Sequence, residues 1–219
     1  MYSDKKRSYF DSVRREILPL IPDSTSRALD VGCGSGTTLH WLKEIGRVQE
    51  AFGIELVKEQ ADAARNLLDG VWIGNVETDG FNFTSEPFDL ILCLDTLEHM
   101  VDPWGTVTMF ASWLNPGGKI VVSVPNLRYR TVLWDLVFCG RFEYEDQGIL
   151  DRTHLRFFTR HSALNLLSGA GFVEVDLIYH PWQLSKKARL LDAITFGCWR
   201  DIFSWQLLIS GIKCIQPRS

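Results

Sequence analysis

Residues 30–37, Asp-Val-Gly-Cys-Gly-Ser-Gly-Thr, place three glycines at alternate positions just after a carboxylate. Glycine lets a backbone turn sharply and approach a ligand closely, and the amides opening a following helix favour anionic groups. The loop therefore suits a nucleotide-like cofactor. Its spacing departs from the G-x-G-x-x-G/A dinucleotide fingerprint, because the glycines fall at 32, 34 and 36 and Thr37 takes the last position. A nicotinamide dinucleotide is disfavoured on that ground. Asp30 is placed to accept hydrogen bonds from the loop's own amides or from a cationic ligand group. Glu55 follows Gly36 by 19 positions, close to the interval of roughly 20 residues at which a carboxylate reaches ribose hydroxyls. Two imidazoles complete the reactive set: His99 in Asp-Thr-Leu-Glu-His-Met and His154 in Asp-Arg-Thr-His-Leu-Arg. Histidine titrates near neutrality and is the first candidate for a general base; for His99, orienting its loop is the competing role. Glu98 reads as a local hydrogen-bond partner.

These residues need a scaffold, and the hydrophobic pattern supplies one. Strand-like runs at 27–31, 51–54, 71–73, 88–94 and 119–124 alternate with helical spacing at 38–45 and 57–68. That βαβα order predicts a parallel sheet with helices on both faces. Residues 88–94, Phe-Asp-Leu-Ile-Leu-Cys-Leu, are almost continuously apolar, as a strand covered on both faces requires. Gly70 reads as a helix C′ glycine, Asp102-Pro103 as an N-cap followed by N1, and residues 115–118, Asn-Pro-Gly-Gly, as the turn into the fifth strand. Beyond Pro125 the pattern predicts an apolar helix over 127–138, an irregular charged and aromatic stretch, a helix capped by Thr159, and strands at 172–179 and 204–214. Long irregular connections in α/β domains commonly wall a site. The whole chain reads as one domain, with residues 27–126 as its cofactor half and 127–219 as its acceptor side.

Composition narrows the function classes. The 219 residues carry 23 Lys and Arg against 27 Asp and Glu, a formal charge of −4, which argues against a protein that coats nucleic acid. Five widely spaced cysteines contain no C-x-x-C pair, so neither a disulfide framework nor a zinc site is expected, and no metal is expected; Cys33 and Cys93 read as small packing residues. The charged N-terminus lacks the apolar core of a signal peptide, and no apolar run reaches the roughly 18 residues of a spanning helix. The expectation is a cytoplasmic protein.

Leu-Asp-Val-Gly-Cys-Gly-Ser-Gly, Phe-Gly-Ile-Glu, Gly-Asn-Val-Glu, the stretch 88–99 and the stretch 114–126 together resemble the successive motifs of class I S-adenosylmethionine-dependent methyltransferases. The resemblance covers residues 27–126. It implies a seven-stranded, Rossmann-like sheet of order 3-2-1-4-5-7-6 with its last-placed strand antiparallel. It also implies S-adenosylmethionine as cofactor and S-adenosylhomocysteine as product. By the same resemblance Asp30, Gly32, Cys33, Gly34 and Gly36 line the methionine and ribose part, and Glu55 holds the ribose diol beside Leu56. Asn75 stands where the family usually has Asp against the adenine amine, with Val76 on the adenine plane and Glu77 next to it. Leu94 and Asp95 flank the sulfonium, and Tyr9 closes over the cofactor or is a surface aromatic.

The segment 148–159 resembles a stretch in bacterial methyltransferases associated with sugar or polysaccharide biosynthesis, where it covers the acceptor pocket. Here Asp151, Arg152 and Arg156 are the acceptor-binding candidates: the arginines either grip a phosphate or carboxylate or form ion pairs with Asp146 and Asp151. The expected acceptor is a small or carrier-linked molecule methylated at oxygen, with His99 and His154 as catalytic candidates. A non-catalytic S-adenosylmethionine-binding regulatory or scaffold module is the alternative. The helical stretch 184–203, with basic residues beside an apolar face, fits a lid, a homodimer contact or a helix lying on a membrane surface. Of eight tryptophans, Trp134, Trp182, Trp199 and Trp205 fall in the segments least defined by the family, which suggests aromatic walls for a pocket, lid or dimer interface.

Overall fold

The computed structural model describes residues 13–180, 190, 192–194 and 199–214. Seven strands, β1 (Thr25–Val31), β2 (Val48–Glu55), β3 (Gly70–Ile73), β4 (Phe88–Leu94), β5 (Leu114–Pro125), β6 (Phe172–His180) and β7 (Gln206–Lys213), form one sheet of order β3-β2-β1-β4-β5-β7-β6. The first five strands pair in parallel, and β7 runs antiparallel between β5 and β6. This is the strand order and polarity expected from the sequence.

Side-chain alternation explains β4. Leu90, Leu92 and Leu94 pack in one core cluster, and Ile91 and Cys93 in the other, so every position from 90 to 94 is apolar. One face is covered by helices α3 (Pro103–Trp113) and α5 (Arg160–Gly169), through Val107, Phe110 and Trp113 and through Ala163, Leu166 and Leu167. On the other face lie α1 (Thr37–Glu44), through Leu39, Trp41 and Leu42, Ala64 of α2 (Lys58–Ala64), and Ile17 and Leu20 of the 3₁₀ turn Arg15–Leu20.

The helix ends follow their local chemistry. The Asp102 side chain accepts a hydrogen bond from the Gly105 amide with Pro103 in the first turn, and Thr159 with Ser162 makes a reciprocal capping box at the start of α5. The Asn-Pro-Gly-Gly turn is absorbed into β5 as an irregularity: Phe88 pairs with Leu114 but Leu90 with Lys119, and Gly117 has φ +80°. Several boundaries differ from expectation, as in β2 and β5, which both start earlier than expected, and two of the differences have a clear local reason. Gly70 does not cap α2, which ends at Ala64; it opens β3, where a side chain would meet the Phe52 ring at 2.9 Å. Helix α4 (Arg130–Phe138) starts three residues late, because Tyr129 keeps an extended backbone as N-cap. Its apolar side faces outward: only Val132 is buried, while Trp134, Val137 and Phe138 are exposed.

Candidate active site

In an open parallel sheet, ligands bind at the carboxyl ends of the strands where the strand order reverses. Here that crevice lies between β1 and β4, and the loops leaving these two strands are its walls. They touch. Gly32 has φ +77°, and a Cβ there would fall 2.4 Å from Thr96 Oγ1. The Thr96 hydroxyl sits 3.0 Å from the Leu94 carbonyl and 3.2 Å from that of Val31, tying the two strand ends together.

Past β1 the chain winds through Gly34 and Gly36, also at positive φ, and enters α1. The Gly32 and Cys33 amides donate to the Ile54 carbonyl at 2.8 and 3.2 Å. Glu55, at the end of β2, accepts the Gly34 amide at 2.9 Å through Oε2 and the Val57 amide at 2.8 Å through Oε1. The sequence expectation gave Glu55 to a ligand alone; the structure shows that it also frames the loop. Burial pushes its pKa up, and the backbone amides of Val57 and Gly34 pull against that. Cys33 is buried, and its sulfur fills the space a side chain on Gly53 would need.

Asp30 is the unusual group of this wall. It is 3% exposed, and its Oδ1 finds no hydrogen-bond donor among the described residues. Burial, and secondarily the Glu55 charge, push its pKa up to about 7, against the pull of Arg14. A buried carboxylate with an unmet oxygen at the cofactor loop is suited to a cationic ligand group, and so fits the ammonium end of S-adenosylmethionine.

The opposite wall begins at Asp95, a non-glycine residue in the left-handed region at φ +51°. Its amide donates to the Ser123 carbonyl at 3.1 Å, and the Ser123 hydroxyl donates to its carboxylate at 2.9 Å. The Arg14 guanidinium and the Gln206 side-chain amide also donate to that carboxylate, and Arg14 reaches Gln206 Oε1 at 3.0 Å. Burial works against the Arg14 charge, but Asp95 and Glu16 outweigh it and hold its pKa above the ordinary value. Sequence reasoning missed Arg14, Ser123 and Gln206. They come from three remote segments, and no spacing rule links them.

The remaining cofactor candidates lie at the ends of β2, β3 and β4. Val76 is buried, and Leu56 is 54% exposed beside Glu55. Asn75 Oδ1 accepts the Glu77 amide at 2.9 Å, and the Glu77 carboxylate accepts the Val101 and Asp102 amides at 3.1 and 2.8 Å, holding the start of α3. Leu94 is buried at the end of β4. Tyr9 lies outside the described residues, as does most of the stretch 184–203; of the latter, Leu190, Ile194 and Trp199 are exposed.

On the acceptor side the structure brings His99 and His154 together, their ring centroids 4.8 Å apart in an edge-to-face arrangement. The Glu98 carbonyl accepts the Leu155 and Arg156 amides at 2.7 and 3.0 Å, stapling the β4 loop to the 149–157 segment. Asp151, 3% exposed, accepts the Thr153 amide and hydroxyl at 2.8 and 2.6 Å and so builds the turn that presents His154. The two arginines part company. Arg156 donates to the Val101 carbonyl and lies over the Trp104 ring, whereas Arg152, 3.6 Å from exposed Asp146, lines a cavity of about 520 Å³ with Tyr144, His154 and Leu155. Of the ion pairs expected as the alternative to ligand binding, Arg152 with Asp146 is present. Among the described residues no tryptophan lines this cavity; Trp134, Trp199 and Trp205 are exposed, and Trp182 lies outside the described residues.

Such a crevice, with a glycine loop and two strand-end carboxylates on one wall and imidazoles on the other, defines a Rossmann-like group-transfer site. The family model described as "Methyltransferase domain" matches residues 3–177, and the chain belongs to that family. It is an S-adenosylmethionine-dependent methyltransferase. A ubiquinone biosynthesis O-methyltransferase of Xylella fastidiosa is 31% identical over 78% of this chain and 71% of its own length. The enzyme of that name from Xanthomonas euvesicatoria is 28% identical over 75% and 70%. Among solved structures, a SAM-dependent methyltransferase from Archaeoglobus fulgidus superposes with a TM-score of 0.66 at 18% identity, covering 95% of both chains. An S-adenosylmethionine-dependent methyltransferase from Mesorhizobium loti does so with 0.63 at 20%, covering 90% of this chain and 95% of that one. At such identities these two speak for the fold. No helix among the described residues is long and apolar enough to cross a membrane.

Proposed function

We propose that this enzyme methylates a hydroxyl group on a small or carrier-linked, ring-bearing acceptor. The observation that carries the proposal is the paired-wall crevice: the unmet Asp30 oxygen on the β1 side, and His99 with His154 beside a cavity on the β4 side. In this reading Asp30 takes the methionine ammonium, Glu55 the ribose diol, and Asn75, Val76 and Leu56 the adenine. Leu94 and Asp95 flank the sulfonium. The cofactor supplies an already activated methyl group, so the protein's work is alignment and removal of one proton. The acceptor oxygen would take that methyl group, the cofactor's sulfur would keep the bonding electron pair, and the hydroxyl proton would pass to an imidazole of the His99 and His154 pair. The imidazole pair activates that hydroxyl.

Oxygen as the accepting atom is supported by the O-methyltransferase relatives and by the two histidines. The cavity wall suits an acceptor with a ring to lie on Tyr144 and an anionic group for Arg152, a description that a sugar phosphate on a carrier or a carboxylated aromatic ring equally meets. Calorimetry with S-adenosylhomocysteine tests the cofactor half, which requires binding that Asp30→Ala and Glu55→Ala abolish or sharply weaken. A methyl-transfer assay over sugar-phosphate and phenolic acceptors tests the other half. Turnover lost in His154→Ala with cofactor affinity retained supports the reading, and turnover unchanged by that substitution removes the imidazole pair from it.

A further inference from the structure

We infer that Glu77 and Arg156 are positioning residues that couple the cofactor side of the crevice to the acceptor side through the single peptide bond joining Val101 and Asp102. The Asp102 amide of that peptide donates to Glu77 Oε1 at 2.8 Å, and the Val101 amide beside it donates to Oε2 at 3.1 Å. The Val101 carbonyl, the other end of the same peptide, accepts Arg156 Nε at 3.1 Å and Arg156 Nη2 as well. A trans peptide points its N–H and C=O in opposite directions, so carboxylate and guanidinium address it from opposite sides. Hydrogen bonds to ionised groups are stronger than neutral ones, and bonds in series polarise one another. One peptide thus relays the attraction between an anion and a cation that belong to two different segments.

Each end of the relay is tied to its own side. Asn75 Oδ1 accepts the Glu77 amide at 2.9 Å, and the Asn75 amide donates to Asp79 Oδ2 at 2.9 Å, so Glu77 belongs to the loop after β3 that carries buried Val76. At the other end the Leu155 and Arg156 amides donate to the Glu98 carbonyl at 2.7 and 3.0 Å. The Arg156 guanidinium lies 5.7 Å from the centre of the Trp104 ring, in the first turn of α3. Its neighbours Leu155 and His154 line the cavity. Between the two ends, the Asp102 side chain accepts the Gly105 amide at 3.0 Å, so the gripped peptide moves only with the start of α3. Glu77, with both oxygens on the amides of residues 101 and 102, serves the relay and not the adenine. Arg156 is likewise committed, which leaves Arg152 for the acceptor.

This coupling rests on the reading proposed above, in which Asn75 and Val76 take the adenine and the 149–157 segment faces the acceptor. Adenine seated on Val76 fixes the loop that carries Glu77. The relay then fixes the 101–102 peptide and, through Arg156, the segment that presents His154. Cofactor binding therefore orders the acceptor side, and by linkage an acceptor tightens cofactor binding by the same factor. Removing either charged group leaves the cofactor's own contacts in place and uncouples the two sides.

The test measures backbone amide exchange by mass spectrometry over residues 75–79 and 149–157 of the full-length protein, with and without saturating S-adenosylhomocysteine, whose affinity is measured in parallel by calorimetry. In the wild-type protein the ligand is expected to slow exchange in both segments, over 149–157 by about fivefold or more, the lower end of ordinary coupling between sites. In Glu77→Ala and in Arg156→Met the slowing over 75–79 persists while that over 149–157 is lost, and combining the two substitutions removes nothing further. Retained ligand binding shows that the variants fold. Binding that leaves 149–157 unprotected in the wild-type protein, or protection there that both variants keep, overturns the coupling alone. Failure of the wild-type protein to bind S-adenosylhomocysteine overturns the cofactor reading and the coupling with it, and calorimetry distinguishes that failure from the other.

Discussion

Asp30 carries the sharpest consequences of any single residue. Its folded pKa of about 7 stands above the ordinary 3.8, so from about pH 4 to 7 the folded protein keeps a proton that the unfolded chain has lost. Stability of the cofactor-free protein therefore falls as pH rises through that window and levels off above it, and Asp30→Asn flattens the slope in chemical denaturation across the pH range. Cofactor affinity runs the other way, since an ammonium partner needs the carboxylate ionised: it rises with pH up to about 7. Asp30→Asn should weaken binding by about 10–100-fold, the range expected for a hydrogen bond to a charged group. Gly32 gives a steric test. With φ +77° and Thr96 Oγ1 2.4 Å from the position of a new Cβ, Gly32→Ala should cost about 2 kcal/mol or more in denaturant melts and degrade cofactor binding. The glycine loop was legible in the sequence because its chemistry is local. The double duty of Glu55 was not, because the Gly34 and Val57 amides that it accepts are defined only once β2 lies beside β1.

Elements were legible to the extent that one periodicity defined them. β4 matches its sequence-predicted bounds since both faces are buried, and α5 begins where Thr159 and Ser162 cap it. Thr159→Ala should cost about 1 kcal/mol of stability with cofactor affinity unchanged, a comparison that separates scaffold from site. Gly70 misled because helix and strand boundaries both use glycine; the Phe52 ring beneath it decides for the strand. Least visible was the knot of Arg14, Asp95, Ser123 and Gln206, which joins the N-terminal segment to the ends of β4, β5 and β7. Removing Arg14 leaves the partly buried Asp95 carboxylate without its cationic partner. Arg14→Met should therefore destabilise by about 2–4 kcal/mol, and Asp95→Asn in the same chain should restore part of that loss in a thermal melt.

At the scale of the whole molecule, a strand order that reverses between β1 and β4 leaves a crevice, and the chain invests it unequally. The β1 wall is built from residues close together in sequence, which is why the cofactor half could be read as motifs. The β4 wall depends on a segment more than fifty residues downstream, stapled by the Glu98 carbonyl to Leu155 and Arg156, so the meeting of His99 and His154 was beyond spacing rules. In the tryptophan-rich remainder Trp134, Trp199 and Trp205 are exposed and do not line the cavity, so of the three expected settings their exposure fits a lid or a dimer interface. The central claim is that one crevice presents the cofactor's sulfur to the imidazole side, and a crystal structure with S-adenosylhomocysteine bound tests it most directly. The account predicts the amino group at Asp30, the ribose diol at Glu55, and the sulfur between Leu94 and the cavity of His154 and Arg152. A ligand seated elsewhere, or one whose sulfur faces away from His99 and His154, would contradict it.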